Sequence, residues 1–218
     1  MRIIIAICCF FFVLFLSVKS QAAEQLSNLK LADKGLLACV TQHAKKKNWQ
    51  NVSDVDALKC HGKKISSLDG LEALTKLTSL SLYNNKLQHA DLRSFSELEY
   101  VNIAGNKLKS IKLYGLDKLH TLYLFKNKLK TIDFTGLTQL KKIRITNNQL
   151  ESLDISRLVS LEKAYFFDNK LEELVVKGLP KLTFIELRQN PMPDEVYDRY
   201  DAIDGITIVH DGNADDWK

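Results

Sequence analysis

Five histidines (His43, His61, His89, His120 and His210) and four cysteines (Cys8, Cys9, Cys39 and Cys60) are the residues of this chain best suited to ligate a metal or to pair as nucleophile and base. Metal binding would need ligands a few residues apart in pairs, and nucleophilic chemistry would need a base near its nucleophile. The histidines follow neither pattern. His43 and His61 lie near Cys39 and Cys60, but not at a zinc-finger spacing. The chain has no G-x-S-x-G, no H-E-x-x-H and no glycine loop of the kind that cradles phosphate. The tail Asp211-Gly212-Asn213-Ala214-Asp215-Asp216 starts with the alternating oxygen ligands of a calcium loop. It lacks the glycine at position six and the glutamate at position twelve that complete one. The expectation is a chain that is not an enzyme, with no cofactor and no metal.

A second group of residues offers non-covalent chemistry. The stretch KAYFFDN, residues 163–169, sets Tyr165, Phe166 and Phe167 side by side. Neighbouring side chains of a strand point to opposite faces, so one core cannot take all three. At least one ring faces water, where an aromatic surface beside Arg or Lys is a common binding anchor. Which ring it is depends on the elements that carry it.

Compartment comes first. Residues 3–16, IIIAICCFFFVLFL, follow Met1-Arg2 and run into Ser17-Val18-Lys19-Ser20-Gln21-Ala22-Ala23. A positive start, a short apolar run and a small-residue end are the marks of a secretory signal peptide, here residues 1–23 with a cut expected near Ala22 or Ala23. The run is short for a bilayer span of roughly 20 residues, so an uncleaved anchor is the weaker reading. No later segment is apolar enough to span, and a secreted or periplasmic location is expected. Cys8 and Cys9 leave with the signal. The remaining pair, Cys39 and Cys60, is an even number in an oxidising compartment, which favours a disulfide over free or metal-bound thiols.

Charge is uneven along the chain. Residues 24–150 hold 21 basic and 11 acidic side chains, whereas residues 151–218 hold 8 and 15. A basic half raises nucleic acid as a partner. The export signal and the scatter of the lysines oppose it, and Lys45, Lys46 and Lys47 read as the charged last turn of a helix. No nucleic-acid partner is expected.

The chain repeats itself every 21 residues. LTSLSLYNNKL from Leu77 returns as LEYVNIAGNKL from Leu98, LHTLYLFKNKL from Leu119, LKKIRITNNQL from Leu140, LEKAYFFDNKL from Leu161 and LTFIELRQNPM from Leu182. Asparagine keeps register at Asn85, Asn106, Asn127, Asn148, Asn169 and Asn190. Each second half repeats the rhythm, as in LKSIKLYGL from Leu108 and LKTIDFTGL from Leu129, with no helix-length segment between. One such unit cannot bury its own leucines, and stacked units can. The asparagines fall where the chain turns, and their amides would bond backbone groups that the turn strips of partners.

These units, L-x-x-L-x-L-x-x-N-x-L, resemble the 21-residue bacterial class of leucine-rich repeats with the consensus LxxLxLxxNxLxxLDLxx, over about residues 58–192. The resemblance implies a solenoid with a parallel β-sheet on its concave face and short extended segments on its convex side. DKGLLACVTQHAKKKNW from Asp33 reads as a helix with Leu36, Leu37, Val40 and Ala44 on one face and Asp33 as N-cap. The stretch LLACV...NW...VDALKC...ISSLDGLEALTKLTSL, from Leu36 to Leu80, resembles the N-terminal cap of secreted bacterial leucine-rich proteins, with residues 24–57 as the helical cap, and a Cys39–Cys60 disulfide would then pin the cap helix to the first strand. Pro191 and Pro193 break the pattern. A small α/β C-terminal cap over residues 193–218 is expected, with a helix from about Asp194 to Tyr200 and a strand from Ile206 to His210.

In this register Ala164 and Phe166 point inward while Tyr165 and Phe167 face the concave surface. The outward columns read Ser79, Tyr100, Thr121, Lys142, Lys163, Phe184; Ser81, Asn102, Tyr123, Arg144, Tyr165, Glu186; and Tyr83, Ala104, Phe125, Thr146, Phe167, Arg188. Seven of these eighteen places are aromatic, against 9% of the whole chain. The expected partner-binding residues are Tyr83, Tyr100, Tyr123, Phe125, Arg144, Tyr165, Phe167, Phe184 and Arg188. The alternative is cross-strand stacking that only stiffens the sheet. The resemblance implies a non-enzymatic recognition scaffold holding a protein or peptide on the concave face. A glycan-binding surface and an envelope protein with an inert concave face are the competing readings.

Overall fold

The computed structural model describes residues 24–176 and 178–212. The expected signal peptide, Lys177 and residues 213–218, which include most of the calcium-loop-like tail, lie outside the described residues. Every turn of the solenoid contributes a three-residue strand to one parallel sheet. In chain order the elements are α1 (Lys34–Lys47), β1 (Ala57–Lys59), β2 (Ser79–Ser81), β3 (His89–Asp91), β4 (Tyr100–Asn102), β5 (Ser110–Lys112) and β6 (Thr121–Tyr123). They continue with β7 (Lys142–Arg144), β8 (Lys163–Tyr165), β9 (Phe184–Glu186), α2 (Asp194–Asp201) and β10 (Thr207–Val209). The concave sheet runs β1-β2-β4-β6-β7-β8-β9-β10, and β3 and β5 pair on the convex side. The other convex segments are extended without forming a ladder.

The inward residues of each strand unit form the core. Leu80 and Leu82, Val101 and Ile103, Leu122 and Leu124, Ile143 and Ile145, Ala164 and Phe166, and Ile185 and Leu187 are all fully buried. Burying each of these side chains other than Ala164 contributes about 1.5–3 kcal/mol, and no single unit supplies the walls to do it. Ala164 is the smallest of the set and Phe166 the largest, so the volume of the layer is roughly kept.

Beyond β2, β4, β6, β7, β8 and β9 the chain turns through a left-handed residue: Asn84, Gly105, Lys126, Asn147, Asp168 and Gln189 have φ between 55° and 66°. The ladder asparagine follows at once. Asn127 shows the common pattern: its Oδ1 accepts from Leu108 N–H at 2.9 Å, and its Nδ2 donates to Ile103 O at 3.0 Å and Leu124 O at 2.9 Å. Asn106, Asn148, Asn169 and Asn190 repeat it, each accepting from the backbone N–H nineteen residues earlier. Asn85 accepts from both Lys63 and Ile65. The short amide satisfies buried groups of two successive turns, which an apolar side chain of equal size cannot do. Gly115 and Gly136, each at φ 89°, start the next Leu-x-x-Leu through a left-handed turn, whereas Arg157 in the equivalent place has no positive φ.

At the N-terminal end Asp33 Oδ1 caps α1, accepting from Gly35 N–H at 2.8 Å and Leu36 N–H at 3.0 Å. Its Oδ2 accepts from the Ser66 N–H and hydroxyl, tying the helix to the first turn. Leu36, Cys39 and Val40 are buried. Leu37 does not join that face and is 44% exposed, because spacings of three and four from Leu36 select Cys39 and Val40 instead. A disulfide joins Cys39 on α1 to Cys60, just after β1. Closing a loop of this length restricts the unfolded chain by about 3 kcal/mol.

At the other end β10 does not stand apart as a separate cap strand. It pairs in parallel with β9, Thr207 opposite Phe184 and Val209 opposite Glu186, so α2 is the crossover of a βαβ unit. Tyr200 anchors α2 to the last full turn: its hydroxyl donates to Leu174 O and accepts from Leu174 N–H, both at 2.9 Å. No helix among the described residues is long and apolar enough to cross a membrane.

Candidate recognition face

The parallel register sets Tyr123 opposite Arg144, Arg144 opposite Tyr165, and Tyr165 opposite Glu186. Strands about 4.8 Å apart hold these side chains in a continuous row with no loop between them. Arg144 is exposed, and its guanidinium lies over the Phe125 ring at 4.8 Å. Lys142 bridges the two tyrosines, its Nζ 5.8 Å from the Tyr123 ring and 5.9 Å from the Tyr165 ring. Such cation–ring contacts contribute roughly 0.5–1 kcal/mol at exposed sites and hold the long cationic side chains over the sheet.

The other rings form pairs. Tyr100 meets Tyr123 edge to face at 5.8 Å, Tyr165 meets Phe184 at 5.3 Å with a 42° tilt, and Tyr83 meets Phe125 at 6.2 Å with a 43° tilt. Tyr83 is the exposed member of the group, while Tyr100, Tyr123, Phe125, Tyr165, Phe167 and Phe184 are half-buried. Phe167 stands next to this cluster in the third column, beyond Thr146.

Two outcomes differ from the sequence expectation. Three of the eighteen outward places are buried: Ser81, Ala104 and Thr146. Tyr83 and Phe125 come from turns on either side of Ala104, and their rings close over it. Thr146 lies between Phe125 and Phe167 in the same column, 4% exposed, and its Oγ1 has no hydrogen-bond partner. Arg188, one of the expected partner residues, lies just past β9 and is paired with Glu186 at the end of that strand: Nε donates to Glu186 Oε1 at 2.8 Å and Nη2 to Oε2 at 2.9 Å. The fork raises the pKa of the Arg188 guanidinium, through the hydrogen bond first and the Glu186 charge second.

Two residues absent from the expected set belong to the face. Lys142 is one; its place in the first column, diagonal to Tyr123 and Tyr165, is the signal that could have found it. His61 is the other, T-stacked on Tyr83 at 5.7 Å with Nε2 2.7 Å from Ser81 Oγ. Burial first, and the Lys59 ammonium second, hold its imidazole below the ordinary histidine value. The remaining histidines are dispersed, and among the described residues no group of three or more His, Cys, Asp or Glu side chains is gathered to hold a metal ion.

With this geometry in view, known proteins place the chain. The family model described as the endo-beta-N-acetylglucosaminidase EndoS LRR domain matches residues 31–169. No curated protein sequence matches. Among solved structures the chain is similar to the internalin InlF of Listeria monocytogenes, 17% identical over 88% of this chain and 67% of that one, with a TM-score of 0.59. It is also similar to internalin C2 (InlC2) of the same organism, 21% identical over 87% of this chain and 98% of that one, with a TM-score of 0.57. A third match is the crystal structure of a TLR13–ssRNA13 complex, 25% identical over 64% of this chain, TM-score 0.55, of which the chain spans only 22%. The fold is that of an internalin-like leucine-rich repeat solenoid.

Proposed function

The chain belongs to the family of leucine-rich repeat domains described by the EndoS model, and from that membership we propose an exported, non-enzymatic recognition module holding a protein or peptide partner on its concave face. One observation carries the reading: an exposed Arg144, facing no carboxylate across its own row from Tyr123 to Tyr165, stands among the rings of Tyr123, Phe125 and Tyr165 with Lys142 beside it. Aromatic and arginine anchors clustered at the centre of a surface are the usual composition of a binding hot spot. The core does not need them, since Leu122, Leu124, Ile143, Ile145, Ala164 and Phe166 already fill the interior. Export is supported by the Cys39–Cys60 disulfide, which an oxidising compartment maintains.

The family description names a glycosidase, which favours a glycan as second reading. Sugar rings stack best on coplanar aromatic platforms. The interplanar angles here, 42° to 89°, support a mixed peptide-binding patch over such a platform. The test is the variant Tyr123→Ala, Arg144→Ala, Tyr165→Ala. It should lose whatever protein the wild-type chain captures from extracts, at a nearly unchanged melting temperature. A large fall in melting temperature would assign the rings to stiffening the sheet. Binding on a glycan array that the triple variant loses would move the assignment to sugar.

A further inference from the structure

The N-terminal end of the concave sheet carries a second feature, which adjoins the aromatic face at His61 and Tyr100. Where α1 packs on β1, a hollow of about 420 Å³ is lined by His43, Lys47, Lys59, His61, Tyr100 and Asn102, among others. A second hollow of about 280 Å³, lined by Gln42, His43, Lys46, Lys59, His61 and Lys63, shares His43, Lys59 and His61 with the first and continues it. Four lysines thus converge on one trough, and neither lining contains an aspartate or glutamate. Lys47 alone has an acidic neighbour, Asp56 at 3.8 Å with both side chains largely exposed, which is a weak attachment. The disulfide holds the two walls together, because Cys39 belongs to α1 and Cys60 follows Lys59.

Four like charges around a recess repel one another and raise the local potential, an arrangement that an anionic occupant relieves. The lysines are point charges on flexible stems, and no arginine fork stands among them to set a planar, bidentate geometry. A strand of nucleic acid would need successive stacking platforms. Only Tyr100 supplies a free-standing ring here, and that ring is engaged edge to face by Tyr123. His43 is fixed by its Nδ1 contact with Cys39 O at 3.0 Å and by stacking on Trp49, and His61 by Ser81 and Tyr83. Carboxylates spaced along an extended chain need only the ammonium groups. We propose that this trough binds an acidic peptide segment, its Asp or Glu side chains paired with Lys46, Lys47, Lys59 and Lys63.

The experiment uses the full chain and a fluorescein-labelled hexaglutamate, read by anisotropy at low and at about 0.5 M salt. The peptide should bind at low salt, weaken at high salt, and weaken at least about tenfold in Lys59→Glu/Lys63→Glu. Lys59→Gln/Lys63→Gln should lose part of the affinity and guards against misfolding of the reversed pair. The equally charged reversal Lys107→Glu/Lys109→Glu, at exposed places outside the trough, should leave binding unchanged, as should Tyr165→Ala, whose ring contacts are with Phe184 and Lys142 outside the trough. Retention by that last variant makes the result independent of whether the aromatic row has a partner. No binding of hexaglutamate, equal loss in both reversal pairs, or tighter binding of a labelled hexathymidylate that Lys59→Glu/Lys63→Glu abolishes would overturn the proposal.

Discussion

The asparagine ladder and the outward columns of the concave sheet are built by the same six turns, a few ångströms apart, and they differ in one respect. Every ladder place is asparagine, and each bonds the backbone of two successive turns, Asn85 accepting one hydrogen bond more than the rest. The outward columns run from Ser79 to Phe184 and from Tyr83 to Arg188 without holding one residue type. Repetition within a chain marks what stacking requires; variation marks places that stacking leaves free. KAYFFDN crosses that boundary within three residues, since Phe166 is fully buried whereas Tyr165 and Phe167 are half-buried.

The widest separation should come from neighbours in that stretch. Phe166→Ala is expected to cost about 3–5 kcal/mol, because it empties the largest side chain of its layer beside the already small Ala164. Tyr165→Ala should cost about 1–2 kcal/mol, from one tilted ring pair with Phe184 and the Lys142 contact. Equal urea midpoints for the two variants would break the comparison. A smaller effect is expected for Asn127→Leu, about 1–3 kcal/mol in spite of its added apolar bulk, because Leu108 N–H loses its buried partner. An unchanged urea midpoint would show that the ladder does not hold the turns. The smallest effect has the opposite sign. Thr146→Val keeps the shape and removes a buried hydroxyl that has no partner, so its melting temperature should equal or exceed that of the wild type.

Acid probes the N-terminal cap in the same spirit. Burial raises the Asp33 carboxyl, but bonds from Ser66, Leu36 and Gly35 outweigh it and hold the pKa below the ordinary 3.8. A depressed acid contributes stability that is complete above its unfolded value and fades as pH falls through 3.8 toward the folded value. Urea midpoints should therefore fall more steeply below about pH 4 in the wild type than in Asp33→Asn. Parallel curves would deny Asp33 that role.

The period, the strands and the ladder were legible because every unit writes them out locally: an alternation, a turn and an asparagine at fixed offsets. What escaped depends on neighbours that no single unit specifies. Ala104 is buried because rings from the turns before and after lean across it. Arg188 is paired because Glu186, two residues back at the end of β9, faces the same way. The place of β10 beside β9 is set by the crossing of α2 and its Tyr200 anchor, a tertiary fact with no period to betray it. The trough beneath α1 was likewise invisible, since Lys46, Lys47, Lys59 and Lys63 are gathered by the lean of a helix on a sheet.

The Cys39–Cys60 bond makes the two ends of this stack unequal. Each turn touches only the turns beside it, so the assembly behaves like a zip, and the disulfide welds one end of that zip. The other described end is closed by α2 and β10 through packing and hydrogen bonds alone. Partial melting is then expected to have a direction, starting at the acidic end and moving toward the basic one, a turn at a time. Under mild stress the expected species is a shorter solenoid that still presents its N-terminal half intact.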